Sequence, residues 1–129
     1  MRTVLIALPL ILTLPAVARA DPPSRVGTCS ATVIKSIGTR FEDKLVKPKP
    51  DDIDNGTTVA LVNGTYGVSY EFVDAVYRSK PGDRVITCLV SVPKNCPKGD
   101  DRGRMYTTTN LRTLQSWTMS DSQHMCGGA

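Results

Sequence analysis

The chain has 129 residues, with 16 Lys+Arg against 12 Asp+Glu, which is room for one domain with a modest core. Two basic residues, Arg2 and Arg19, lie in the first twenty, which hold no acid, so the remainder carries 14 basic and 12 acidic residues, a net charge of +2. A charge so small and scattered excludes the electrostatic footprint of a nucleic-acid-binding domain, and no segment after residue 20 is apolar enough to cross a membrane.

Residues 1–20 have the layout of a secretory signal peptide. Arg2 supplies the positive start, Val4 to Leu14 is almost wholly apolar, Pro15 breaks a helix, and Ala18-Arg19-Ala20 fits the small-x-small cleavage rule. A single β-rich domain, residues 21–129, then begins at Asp21. The apolar run is too short to span a bilayer, and no cysteine follows the cleavage point to carry a lipid. The expected location is secreted or periplasmic. Cys29, Cys88, Cys96 and Cys126 all fall in the exported part, and an even count in an oxidising compartment implies two disulfides.

Residues 21–27 look like a loose N-terminus. From Cys29 to Phe41 the sequence alternates as one long strand, with Cys29, Ala31, Val33 and Ile37 on its apolar face and Gly38 marking a bend or bulge. Residues 42–56 are polar, contain Pro48 and Pro50, and read as an exposed loop of connector composition. Next, Thr57–Val62 and Thr65–Tyr70 flank Asn63-Gly64, the signal for a hairpin with a two-residue type I′ turn. That turn pairs Val62 with Thr65, Leu61 with Tyr66, Ala60 with Gly67, Val59 with Val68 and Thr57 with Tyr70. Tyr66 and Tyr70 then join Leu61, Val59, Val68 and Thr57 on one mostly apolar face, directed at the core.

Residues 71–79 change period. Phe72, Val73, Val76 and Tyr77 form the stripe of a short helix, with Ser69 as its cap and Pro81-Gly82 as its stop. Arg84 to Val92 reads as a strand, with Ile86, Cys88, Val90 and Val92 on one face and Val85, Thr87, Leu89 and Ser91 on the other, ended by Pro93. Residues 93–103 are a second polar loop. Residues 104–110 and 111–119 are strand material containing Trp117, and 120–129 form a polar tail tied by Cys126.

The order strand, hairpin, short helix, strand, and a last strand or hairpin resembles the architecture of the OB fold, a small partly open Greek-key barrel. The expected class is therefore mainly β, a small disulfide-stapled barrel that is OB-like or, alternatively, SH3-like. Cys29 and Cys88 lie on apolar strand faces, while Cys96 and Cys126 lie in polar segments. Like environments favour Cys29–Cys88 with Cys96–Cys126; the rival is Cys88–Cys96 with Cys29–Cys126.

The favoured pairing sets loop 93–103 beside the tail. Asp100, Asp101, Arg102, Arg104, Asp121 and His124 are the binding residues it implies, with the two arginines suited to bidentate contact with carboxylate or phosphate. His124, the sole histidine, lacks a recognisable nucleophile partner, so no catalytic set is legible. Cysteine and histidine spacings fit no common zinc pattern, and residues 51–56 lack the ligand spacing of a calcium loop. Neither metal nor cofactor is expected. The expected function is a non-enzymatic exported binding module for a protein or glycan partner. The alternatives are an inhibitor or immunity-type protein, and a small hydrolase using His124 with Asp101 or Asp121.

Overall fold

The computed structural model describes residues 20–128; the expected signal peptide, Ala20 apart, lies outside them. The described residues form a closed antiparallel barrel in the order β1-β2-β3-β6-β5-β4. Its strands are β1 (Cys29–Gly38), β2 (Thr57–Leu61), β3 (Tyr66–Ser69), β4 (Arg84–Ser91), β5 (Met105–Asn110) and β6 (Ser116–Ser120), with helix α1 (Asp74–Tyr77) between β3 and β4. Each half of the chain folds as a three-stranded meander. The halves join by β1 against β4 and β3 against β6, so no strand edge is left open. The mainly β barrel, the short helix and both staples are as the sequence implied; β6 completes the wall that a five-stranded OB barrel leaves partly open. No described helix is long and apolar enough to cross a membrane.

The interior is filled by alternate residues of every strand. Val85, Thr87 and Leu89 of β4 are all fully buried, as are Ile34 of β1 and Val76 of α1. Trp117 and Met119 of β6 face the same cluster, and Tyr106 of β5 is also buried. Two buried hydroxyls, Thr108 and Thr87, satisfy each other at 2.9 Å, as a dry interior requires.

The expected inward face of β1 is corrected, and the inward face of β4 is now assigned. In β1 the face chosen from alternation is the outer one: Cys29 and Ala31 are exposed and Ile34 points inward. A bulge between Ile34 and Ser36 then resets the register, so Ile37 packs against the core. This bulge stands where Gly38 was expected to bend the chain. Gly38 instead serves as a seat for the following loop, because a Cβ there would run into the carbonyl oxygen of Glu42. In β4 the stripe Ile86, Val90 and Val92 also lies outside, at 40 to 44% exposure. Directly opposed residues of antiparallel strands share a face, and Ala31 opposes Ile86 just as Cys29 opposes Cys88. Both faces of β4 are apolar in sequence, so alternation alone does not choose between them.

The hairpin register also differs by one residue. Ala60 opposes Tyr66, Val59 opposes Gly67 and Thr57 opposes Ser69. The loop has three residues, Val62 to Gly64: the N–H of Leu61 donates to the carbonyl of Thr65 at 2.8 Å and that of Gly64 to Leu61 at 3.0 Å. Only Gly64 takes positive φ, at 93°, whereas a type I′ turn needs it at both positions. Asn63 is used otherwise. Its Oδ1 accepts from the N–H of Thr65 at 3.0 Å, its own N–H donates to Thr32 Oγ1 at 3.1 Å, and its Nδ2 donates to Ser30 Oγ at 3.1 Å. The turn is thus docked on β1. A one-residue slip turns side chains to the opposite face, so Tyr66 and Tyr70, expected in the core, are exposed at 39% and 51%.

The expected helix over 71–79 is a single turn, Asp74–Tyr77, with Val73 as N-cap and no capping side chain of its own. Its approach is held from a distance. Asp54 accepts from the N–H of Phe72 at 2.7 Å, and Thr57 Oγ1 accepts from that of Val73 at 2.9 Å. Ser69 accepts from Glu71 instead of capping the helix. Of the side chains expected along its stripe, Phe72, Val73 and Val76 pack on the barrel core, while Tyr77 is exposed. Likewise, 111–115 is a turn, and β6 starts only at Ser116. The N-terminus is tied too: the N–H of Gly27 donates to Leu89 at 2.8 Å.

Candidate functional site

The disulfides are Cys29–Cys88, across opposed strand positions, and Cys96–Cys126. The second brings loop 93–103 to the tail. Arg102 grips Asp100 with two bonds, Nε to Oδ1 at 2.9 Å and Nη2 to Oδ2 at 2.8 Å, and reaches the carbonyl of Gly128 at 3.2 Å. The N–H of Gly127 also donates to Asp100 at 3.0 Å. Arg102 and then Gly127 hold the Asp100 carboxyl well below its usual range, and Asp100 in turn raises Arg102. Arg104 pairs with Asp101 at 2.5 Å. Asp121 accepts from the N–H groups of Gly103 and Arg104 at 2.8 and 3.1 Å. Five of the six residues singled out in the sequence are therefore drawn together, and their polar groups are turned on one another. His124 is exposed on the tail, bonded through its N–H to Ser122 Oγ at 3.3 Å.

A second polar cluster clamps the α1–β4 connection to the β5–β6 turn. Asp83 is 5% exposed. It accepts from Arg112 Nε and Nη2 at 2.7 Å each, from Asn110 Nδ2 at 2.8 Å and from the N–H of Lys80 at 3.0 Å. The Arg112 guanidinium holds this carboxyl far below the usual carboxylate range, against the opposing effect of burial. Every oxygen of Asp83 is occupied by the fold itself. Among the described residues no group of three or more His, Cys, Asp or Glu is placed to hold a metal.

Two clefts lie elsewhere, along the segment 39–56. Its connector composition is misleading. Leu45 enters the barrel core, Thr39 Oγ1 accepts from the N–H groups of Phe41 and Glu42 at 3.1 and 2.9 Å, and Asp54 accepts from Gly56 at 2.8 Å. So anchored, the segment holds three large apolar side chains in water: Phe41 at 70%, Val46 at 58% and Ile53 at 86% exposure. Two clefts flank it and share Thr39 and Glu42. One, of about 420 Å³, is lined by Val46, Lys47, Pro48 and Ile53. The other, of about 310 Å³, is lined by Arg40, Phe41, Glu42, Asp43, Thr58 and Tyr66.

Arg40 organises this face. Its guanidinium carbon stands over the ring of Tyr70 at 4.4 Å and over that of Phe41 at 4.9 Å, the cation–π arrangement. Its Nε donates to the carbonyl of Asn55 at 3.3 Å. The side chain lies across Gly56, whose φ is +73° and whose added Cβ would come within 2.9 Å of that Nε. Sequence reading missed Arg40, Phe41, Tyr66 and Tyr70. For the tyrosines the missing information was the hairpin register; for Arg40-Phe41 the only signal was a cation–aromatic pair at the mouth of a long loop.

Compared with protein-family models, with curated proteins and with solved structures, the chain has no significant match. The class it defines is a small, closed, six-stranded β-barrel stapled by two disulfides, a feature compatible with an oxidising environment.

Proposed function

We propose that this chain is an exported, secreted or periplasmic, non-enzymatic binding module. Its partner is a protein or glycan of the cell envelope or extracellular space, and it docks on the face formed by segment 39–56 with Tyr66 and Tyr70. The observation that carries this reading is the exposure of Phe41, Tyr66 and Tyr70 around Arg40 beside a cleft, on a segment anchored by Leu45 and Thr39. Aromatic and arginine side chains dominate binding energy at interfaces, and a loop held by a rigid scaffold presents them without an ordering cost at binding. In this reading Asp100, Asp101, Arg102, Arg104 and Asp121 frame the tail, with His124 at the rim of the binding region.

The test is surface plasmon resonance of the oxidised protein against separated envelope glycans and envelope proteins. A Phe41→Ala/Tyr66→Ala variant is compared with Arg102→Ala/His124→Ala. The expected result is a ligand lost by the first variant and retained by the second. A protein ligand that is itself an enzyme or toxin, inhibited on binding, would define an inhibitor or immunity role. Turnover of a ligand that vanishes with His124→Ala would overturn the reading in favour of a hydrolase.

A further inference from the structure

The geometry points to a site for an acidic saccharide in the cleft beside Arg40, with the guanidinium taking the sugar carboxylate; this rests on the binding-module reading above. Four arginines, Arg78, Arg102, Arg104 and Arg112, have carboxylate partners within the chain. Arg40 has none among the described residues, yet two aromatic rings, the carbonyl of Asn55 and the bare backbone of Gly56 hold it in place. With Nε engaged, Nη1 and Nη2 remain as a forked pair of donors without an acceptor among the described residues. A guanidinium held in this way suits the two oxygens of a carboxylate, and its rigidity lowers the entropy lost on binding.

The rest of the lining distinguishes a sugar from an acidic peptide. Glu42 and Asp43 share the cleft with Arg40, and neither pairs with a described cation. With Arg40 they leave the lining one negative charge in excess, so it suits a ligand with a single carboxylate and repels an acidic peptide or a polyuronide. Sugar hydroxyls, however, are donors that carboxylates accept well. Ser36 and Thr58 add hydroxyls to the lining, while Tyr66 and Phe41 offer ring surface to the apolar face of a pyranose. A volume of about 310 Å³ suits one sugar ring, and the adjoining cleft past Thr39 and Glu42, where Asp52 and Asp54 face Lys47, suits a neutral sugar next to it. The ligand class is therefore an oligosaccharide with one uronic acid among neutral sugars.

The experiment is isothermal titration of the oxidised protein with an aldobiouronic acid, one uronic acid linked to one neutral sugar, and with the same saccharide after reduction of its carboxyl to an alcohol. Binding of the first, about tenfold or more weaker for the second, is expected. Arg40→Lys keeps the charge but loses the fork, and Arg40→Ala loses both. Each should weaken binding of the acidic saccharide by about 10- to 100-fold, with the melting temperature of Arg40→Lys close to that of the parent as the folding control. Equal affinity for the two saccharides, or binding indifferent to Arg40→Ala, overturns the site and leaves the binding module standing. So does the absence of any saccharide binding in a protein that still captures a protein ligand through Phe41 and Tyr66. Binding of the acidic saccharide lost only in Arg102→Ala/His124→Ala overturns both.

Discussion

The phenol of Tyr70 donates to the carbonyl oxygen of Gln123 at 3.0 Å, so the ring beneath Arg40 is tethered to the tail that Cys96–Cys126 fastens. The polar cluster around Asp100 and the aromatic face are thus mechanically joined. Tyr70→Phe keeps the ring and removes the tether. The expected stability loss is about 0.5–1.5 kcal/mol. Hydrogen exchange should quicken most at residues 121–127, and in β4 and β5 by no more than the fall in global stability.

The two disulfides close segments of 59 and 30 residues. In the chain-entropy description both restrain the unfolded state similarly, by about 4 kcal/mol. Their native roles differ. Cys29–Cys88→Ser pairs remove a rung from the barrel wall, and denaturant melts of that variant should lose the whole of its contribution cooperatively. Replacing Cys96 and Cys126 by Ser should also release the tail, seen as protease cleavage within 121–128 before the barrel unfolds.

Asp83 sets the acid limit of the barrel. Its carboxyl is depressed in the folded state by Arg112 first and by Asn110 and Lys80 besides. A depressed carboxylate stabilises the fold fully above its unfolded value of about 3.9, and that contribution is lost as pH falls below it toward the folded value. Asp83→Asn should cost about 2–4 kcal/mol at neutral pH, toward the lower end because the Arg112 side chain is 47% exposed and water screens the pair. Melting curves from pH 6 to pH 2 should slope less steeply in this variant than in the parent.

Neighbouring residues of β4 report which face is inside. Leu89 is fully buried and Ile86 is 40% exposed. Leu89→Ala should destabilise by about 2–5 kcal/mol, and Ile86→Ala by about 1 kcal/mol or less. Equal losses by chemical denaturation would contradict the observed strand orientation.

Several of these features are legible without coordinates. The β-rich class follows from repeated alternation and from β-branched runs punctuated by Gly, Pro and Asn. The disulfide partners follow from matching each cysteine's surroundings. Cys29 and Cys88 do share a face, although it is the outer one; the pairing rule needs only that the faces agree. The drawing together of loop 93–103 and the tail then follows from Cys96–Cys126. What such reasoning does not supply is how Arg102 and Asp100 spend their donors and acceptors, because mutual pairing and ligand binding demand the same residue types.

Local sequence by itself determined where strands begin and end to within a few residues, where the chain turns, and which cysteines share an environment, since each depends on near neighbours and on backbone preferences. Tertiary structure alone decided the hairpin register, through the docking of Asn63 on Ser30 and Thr32, and with it the exposure of Tyr66 and Tyr70. It alone decided which face of β1, and which of the two apolar faces of β4, turns inward, because closing the barrel imposes one curvature on all six strands. And it alone brought Arg40 between segment 39–56 and the end of β3. That meeting depends on contacts distant in sequence, and the period of a single strand carries no record of them.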